Sequence, residues 1–335
     1  MERGLAQRPS VVKRLFVVCS LLALVLYKAS AQELVHIPSS QMFKGEPITL
    51  NGWMFSLTHQ PSNKELIANL HTGQAHPSPQ NPPEAAPLLE AAPLLEAAPF
   101  RTSHPVVLMV HSCGGALDGR GRLSPRMIEY AQLFNDQGWS ALILDSFTTR
   151  NTKQICTQPI SQRTITPELR AQDVLDAHLW LTQQGGVEHA RIAYVGWSHG
   201  GSTVLAATNK ANSFVAYSSL KPSGAVVFYP GCAEDRRKGY QPNTSLLVQI
   251  GEWDDWTSPG PCKAMVAESS QPKPELISYA RAYHLFDSDL EVKIRYDVGN
   301  GKGVHYGGQP EANAASKKRL LDFLNSAFQK PNDSH

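Results

Sequence analysis

Residues 191–208 read RIAYVGWSHGGSTVLAAT. Ile192 to Val195 is a short apolar run of the kind that forms a buried strand. Gly196-Trp197-Ser198-His199-Gly200-Gly201 follows, and Ser202 to Thr208 is a run of small residues suited to a helix. Strand, tight turn and helix around G-x-S-x-G is the setting of a nucleophile elbow. Glycines flanking the serine let the strand and helix backbones pass closely. The serine then sits at a helix N-terminus, where free N–H groups and the dipole favour negative charge. The bare pattern arises by chance in about one chain in ten of this length. An ordinary strand–helix turn with Ser198 as N-cap is the plain alternative, so the partners elsewhere in the chain decide the reading.

Around this stretch the chain alternates strand and helix. Val106 to Val110 is a continuous apolar strand, Pro125 to Gln137 an amphipathic helix ending at Gly138, and Ser140 to Leu144 a strand. Pro167 to Gln184 reads as a helix, with proline at its start and Gly185-Gly186 at its end. Beyond the elbow, Gly224 to Tyr229, Ser245 to Ile250 and Leu290 to Tyr296 read as strands, and Pro310 to Phe328 as a closing amphipathic helix. Buried strands alternating with helices predict an α/β fold: a mostly parallel central sheet with helices on both faces. In such sheets the loops at the carboxyl ends of the strands build the site. Upstream, Ile48 to Leu57 predicts an early edge strand, and residues 63–72 suit another.

A serine hydroxyl is a poor nucleophile near neutral pH. It needs a base, an acid to orient the base, and N–H donors for the oxyanion. The acid candidates follow the strand Leu246 to Ile250 in Gly251-Glu252-Trp253-Asp254-Asp255-Trp256; Asp254, three residues past the glycine, is favoured and Asp255 stays open. Asp145 ends a strand before the elbow and reads as structural. The base candidate is His305, in the glycine-rich stretch GNGKGVHYGG before the last helix. His284 reads as lying at a helix end and His199 adjoins the serine, so both fit less well. The order Ser198, Asp254, His305 matches nucleophile, acid and base on this type of sheet. The oxyanion donors are expected to be the N–H of His199 and that of Cys113, in the loop His111-Ser112-Cys113-Gly114-Gly115.

The elbow GWSHGG, the loop HSCGG, the acid loop GEWDDW and the late His305 resemble the dienelactone hydrolase family of α/β-hydrolases, over roughly residues 105–330. Arg170 and Asp173, on the helix before the elbow, fit the pattern as well, although a surface ion pair explains them equally. The resemblance implies the α/β-hydrolase fold and hydrolysis of carboxylic esters or lactones through an acyl-enzyme, without a metal or organic cofactor. Dienelactone hydrolases proper carry a cysteine nucleophile. Ser198 therefore points to a serine branch of broad carboxylesterase-like members. Two other functions remain open: a serine peptidase of the prolyl-oligopeptidase kind, though no propeller repeat is visible, and a non-catalytic binding protein on the same fold.

The chain has 335 residues, 41% apolar and 18% charged, with a net charge of +2. Residues 1–31 carry five basic side chains against Glu2, a net of +4, which leaves −2 for the remainder. Nothing in that balance suggests a nucleic-acid partner. Lys13-Arg14, the apolar run Leu15 to Leu26 and Ala29-Ser30-Ala31 have the layout of a secretory signal. Cleavage near Ala31 and a secreted or periplasmic protein are expected, with an uncleaved N-terminal anchor as the alternative. No other stretch could span a membrane. Cys113, Cys156, Cys232 and Cys262 remain after cleavage. Cys232 and Cys262 each follow a late strand end, which suggests a disulfide between them; buried thiols are the alternative, and no spacing suggests a zinc site.

The expected organisation is a signal peptide over 1–31, N-terminal strands of the hydrolase domain over 32–72, an insert over 73–104 and the core over 105–330. The insert is rich in Pro and Ala and repeats EAAPLL at 84–89 and 90–95, then EAAPF at 96–100. Proline every sixth residue forbids a long regular helix. A flexible surface loop is the simple reading, and a docking arm presenting its leucine pairs is the sharper one.

Overall fold

The computed structural model describes residues 31–57, 104–184, 187, 191–298 and 301–329. The signal sequence, the expected strand over 63–72 and the repeat insert lie essentially outside these residues.

Eight strands form one sheet in the order β1-β2-β4-β3-β5-β6-β7-β8. They are β1 Ala31–Phe43, β2 Glu46–Ser56, β3 Val106–Val110, β4 Ser140–Asp145, β5 Ile192–Trp197, β6 Ala225–Phe228, β7 Leu246–Gly251 and β8 Glu275–Tyr279. β1 and β2 pair antiparallel, β2 runs antiparallel to β4, and every pairing from β4 to β8 is parallel. Parallel strands buried on both faces need continuous apolar sequence, and β3, β4, β5, β6 and β7 are buried at every residue. This is the α/β-hydrolase architecture.

The pleat divides each strand between two cores. Val106, Leu108 and Val110 face one cluster with α2 (Pro167–Gln183), α3 (His199–Thr208) and α6 (Pro259–Glu268). Val107 and Met109 face the other, with α1 (Pro125–Asp136) and α7 (Pro310–Gln329). Two short helices, α4 (Ser213–Ala216) and α5 (Ala233–Lys238), follow α3 and β6. A third, smaller cluster of Cys113, Phe147, Ile155, Cys156, Ile165, Val298 and Val304 lies in the loops. Among the described residues no helix is long and apolar enough to cross a membrane.

Two expectations are corrected. The strand around Ile48 to Leu57 is not an edge, because β2 is paired on both sides and β1 forms the edge. Leu290 to Tyr296 does not enter the main sheet. Only β9 (Lys293–Arg295) forms there, and it pairs with β10 (Val304–Tyr306) in a separate two-stranded ribbon. Leu290, Val292, Ile294 and Tyr296 alternate as a strand should, yet their apolar side chains are exposed. The strand that completes the sheet is β8, whose sequence ELISY is only half-buried at the edge. That substitution moves the loop after the last sheet strand, and with it the histidine that the loop carries.

Candidate active site

Ser198 lies between β5 and α3 with φ 53° and ψ −116°, a left-handed conformation that a side chain other than glycine adopts only under constraint. Gly196 and Gly200 make that turn tight. A Cβ on Gly196 would stand 2.3 Å from the Gly200 carbonyl oxygen, and one on Gly200 would stand 2.0 Å from that of Val110. The Ser198 N–H donates to the Phe228 carbonyl at 2.9 Å, and the Ser198 carbonyl accepts from Ser202 N–H at 2.9 Å. The first N–H groups of α3, beginning with that of His199, therefore have no intrahelical acceptor.

Ser198 Oγ is 3.0 Å from Nε2 of His284, and His284 Nδ1 is 2.8 Å from Asp254 Oδ2. Asp254 is fully engaged. Its Oδ1 accepts from the N–H groups of Trp256 and Thr257 at 2.9 and 2.8 Å, and its Oδ2 also accepts from Thr257 Oγ1 at 2.8 Å. With a carboxylate on Nδ1, that nitrogen carries the proton and Nε2 presents its lone pair to the serine hydroxyl. The ring is clamped by Tyr229 and Trp256, whose centroids lie 4.4 and 4.8 Å away. All three side chains are buried.

The loops after β7 and β8 bring acid and imidazole together. Glu252 N–H donates to Tyr279 O, and Trp253 N–H to Ala282 O, both at 3.0 Å, so the two strands stay joined beyond their ends. A Cβ on Gly251 would meet the Ala282 carbonyl oxygen at 2.3 Å, which explains the glycine at that crossing. Arg281 and Leu285 adopt φ of 57° and 67° on either side of His284. The β10 segment holds the loop from its other side, Gly307 N–H donating to His284 O at 2.8 Å.

The base expected at His305 is corrected by this geometry. His305 is on β10, half-exposed, with Nδ1 2.7 Å from Asp255 Oδ2 and its N–H donating to Asp255 Oδ1 at 2.8 Å. Its ring stacks on Tyr283 at 4.8 Å. The structure thus brings together Ser198, Asp254 and His284, and leaves Asp255 and His305 as a separate surface pair. His284 could have been found from one signal: it follows a short polar-edged strand, Glu275–Tyr279, by five residues, and no helix precedes it.

His199 and Cys113 line the same cavity as Ser198, a space of about 520 Å³ also bordered by Arg163, Glu168, Glu234 and Trp256. Cys113 is joined to Cys156, and Cys232 to Cys262 as expected from the sequence. The first bridge ties the loop after β3 to the segment that walls the cavity; the second ties the start of α5 to α6. Asp145, as anticipated, is used locally: its Oδ1 accepts from the N–H groups of Phe147 and Thr148. Asp173 is buried and gripped by both terminal nitrogens of Arg150 at 2.8 Å, so it forms no surface pair with Arg170. Among the described residues no group of three or more His, Cys, Asp or Glu side chains could hold a metal ion.

Comparison with known proteins agrees with this architecture. The chain overlays on a dienelactone hydrolase-like promiscuous phosphotriesterase from metagenomic libraries with a TM-score of 0.53, at 16% identity, over 89% of this chain and 99% of that one. A dienelactone hydrolase from Anabaena variabilis gives 0.53 at 14% identity, over 89% and 98%. A dipeptidyl peptidase 4 from Porphyromonas gingivalis gives 0.52 at 15% identity, over 89% of this chain but 35% of the larger protein. By fold the protein is an α/β-hydrolase similar to the dienelactone hydrolases. Within its sequence, residues 163–231, which contain the elbow, match the prolyl oligopeptidase family. No curated protein matches the sequence. Fold and matched segment together support a serine hydrolase of the α/β type.

Proposed function

We propose that the protein hydrolyses carboxylic esters or lactones through an acyl-enzyme, with Ser198 as nucleophile, His284 as base and Asp254 as the acid that orients it. The observation that carries this reading is the unbroken chain of hydrogen bonds from Ser198 Oγ through the His284 ring to Asp254. His284 Nε2 takes the hydroxyl proton as Ser198 Oγ bonds to the substrate carbonyl carbon. The imidazolium then gives that proton to the departing alcohol oxygen as its bond to carbon breaks. Water, deprotonated by the same nitrogen, attacks the acyl carbon, and as the bond from that carbon to Ser198 Oγ breaks the imidazolium returns the proton to Oγ, releasing the acid.

The oxyanion would be received by the N–H groups of His199 and Cys113. In the loop after β3 the N–H groups of Gly114 and Gly115 are already used by Ser112, donating to its Oγ and its carbonyl. That favours Cys113 as the donor of this loop. Two disulfides support an oxidising compartment, in keeping with a secreted protein.

The match of residues 163–231 to the prolyl oligopeptidase family favours a second reading, a serine peptidase with the same triad. Paired assays on p-nitrophenyl acetate and on short peptide amides, in the wild type and Ser198→Ala, separate the two. Turnover of ester with labelling by a fluorophosphonate, both lost in the variant, supports the proposal. A Ser198→Ala protein that labels and turns over at the wild-type rate ends it, and preference for peptide amides replaces it by the peptidase.

A further inference from the structure

Arg170 is fully buried on α2 and makes no salt bridge among the described residues, although it is the kind of side chain that is rarely buried without one. The nearest candidate, Asp173, has both carboxylate oxygens committed to Arg150. Arg170 Nε is buried without a hydrogen-bond partner. Its two terminal nitrogens reach neutral acceptors instead. Nη1 lies 2.8 Å from His199 Nδ1, and Nη2 donates to the His111 carbonyl at 2.8 Å. One flat face lies over the Phe147 ring, 5.0 Å from its centroid.

These two acceptors belong to two different segments of the site. His199 directly follows Ser198. His111 opens the loop that carries Cys113, and its carbonyl oxygen already packs against the elbow, 2.5 Å from where a Cβ on Gly200 would be. A guanidinium only donates, so His199 Nδ1 must offer a lone pair, and the ring is neutral with its proton on Nε2. Burial, with Arg170 and then Arg163 nearby, keeps the His199 imidazole well below its ordinary pKa, in agreement with that form. Burial also lowers the Arg170 guanidinium to about 9, with Asp173 and Asp145 opposing the fall, and it stays charged at neutral pH.

We propose that Arg170 is a positioning residue of the oxyanion site, one buried guanidinium that locks the elbow to the loop carrying Cys113 and holds a positive charge, with no carboxylate in direct contact, against the two segments that carry the donors. A charge held there without a carboxylate in contact costs stability. It gains value when a negative oxygen develops beside it in a water-poor site. The role rests on the serine-hydrolase reading above.

The test compares wild type, Arg170→Met and Arg170→Lys by kcat and KM on p-nitrophenyl acetate, by the rate constant of fluorophosphonate labelling, and by melting temperature. Arg170→Met removes charge and both bonds at similar volume. The expected result is a fall of about 10²- to 10³-fold in kcat and in labelling rate, with KM within threefold and a melting temperature equal to or above that of wild type. Arg170→Lys, which keeps the charge but cannot bridge both acceptors, should recover part of kcat. Unchanged kcat per folded molecule in Arg170→Met, with a lower melting temperature, makes the guanidinium structural and overturns the proposal. If Arg170→Met does not fold, Arg170→Lys decides: kcat reduced at wild-type stability supports the role, and unchanged kcat ends it. A wild-type chain that neither labels nor turns over ester removes the hydrolase reading instead.

Discussion

Asp255 holds His305 by two hydrogen bonds, at 2.7 and 2.8 Å, one residue along the chain from the Asp254 that holds His284 at 2.8 Å. Adjacent aspartates thus serve two histidines of opposite character. The Asp254–His284 pair has side-chain exposures of 1% and 2%, and its imidazole faces Ser198; the Asp255–His305 pair has 42% and 37% and faces solvent. His284→Ala should lower ester turnover and fluorophosphonate labelling by about 10⁴-fold or more, since the loss of a triad base approaches the loss of the triad. His305→Ala should stay within about tenfold of wild type, because exposed ion pairs contribute little. Reversed magnitudes in the two variants would return the base to position 305.

That contrast shows how much of the site could be read from the chain. The elbow is legible because glycines at 196 and 200 and a fully apolar strand must both be present for a serine to sit at such a turn. The acid loop is legible because β7 is buried at every residue and ends at Gly251. The base is not, for a physical reason. β8 lies at the sheet edge and alternates only weakly, whereas Leu290 to Tyr296 alternates strongly but spends its apolar side chains on the surface. Hydrophobic period ranks strands by their alternation, not by their place in a sheet. Arg170 has the opposite problem: a helical arginine reads as surface charge until the loops around it are known.

The Cys113–Cys156 bridge should matter for more than stability. It closes a loop of 43 residues, for which chain entropy gives about 4 kcal/mol. The Cys113→Ala, Cys156→Ala double variant should therefore melt several degrees lower. It should also lose kcat at temperatures where it is fully folded, because Cys113 carries the expected donor and the loop that holds it would then rely on the Ile155 N–H to Cys113 carbonyl bond, at 2.9 Å, and on the small apolar cluster around it. The Cys232→Ala, Cys262→Ala variant serves as control, with a similar stability loss from a separation of 30 residues. Equal residual kcat in the two folded variants would show that only stability is at stake.

Asp235, on α5, predicts a pH effect of unusual sign. Burial raises its carboxyl to about 7, with the Asn209 amide opposing the shift through a 2.9 Å bond to Oδ1. The folded protein therefore retains a proton that the unfolded chain loses near 3.8. Stability falls as pH rises from about 4 to about 7 and is level above that, by up to about 1.4 kcal/mol per pH unit. Asp235→Asn keeps the acceptor for Asn209 and cannot ionise. Its unfolding free energy relative to wild type should be unchanged near pH 4 and should grow steadily to pH 7. Denaturant titrations of both proteins at four pH values measure this directly, and a constant difference across that range refutes it.

Asp287 is the counter-case and ties the site together from beneath. It is buried and accepts from Arg126, the Tyr130 hydroxyl, Trp197 Nε1 at 3.1 Å and the Tyr229 hydroxyl at 2.9 Å. Burial alone would raise its carboxyl, but Arg126 and these donors hold it below 3.8. Its stabilisation is therefore present above pH 4 and lost as pH falls through the folded value. Trp197 precedes Ser198, Tyr229 packs on the His284 ring, and Asp287 follows His284 by three residues, so this one carboxylate joins the segments that carry Ser198 and the imidazole. Asp287→Asn keeps the shape and leaves Arg126 buried without its counter-charge. The expected cost at pH 7 is about 3–5 kcal/mol, accompanied by a lower kcat in the protein that remains folded. Because the wild-type carboxylate becomes protonated in strong acid, the stability difference between the two proteins should shrink as pH falls through the folded value of Asp287, which lies below 3.8. A variant as stable as wild type at pH 7 would mean that the tyrosines and the indole, rather than the ion pair, hold the loop.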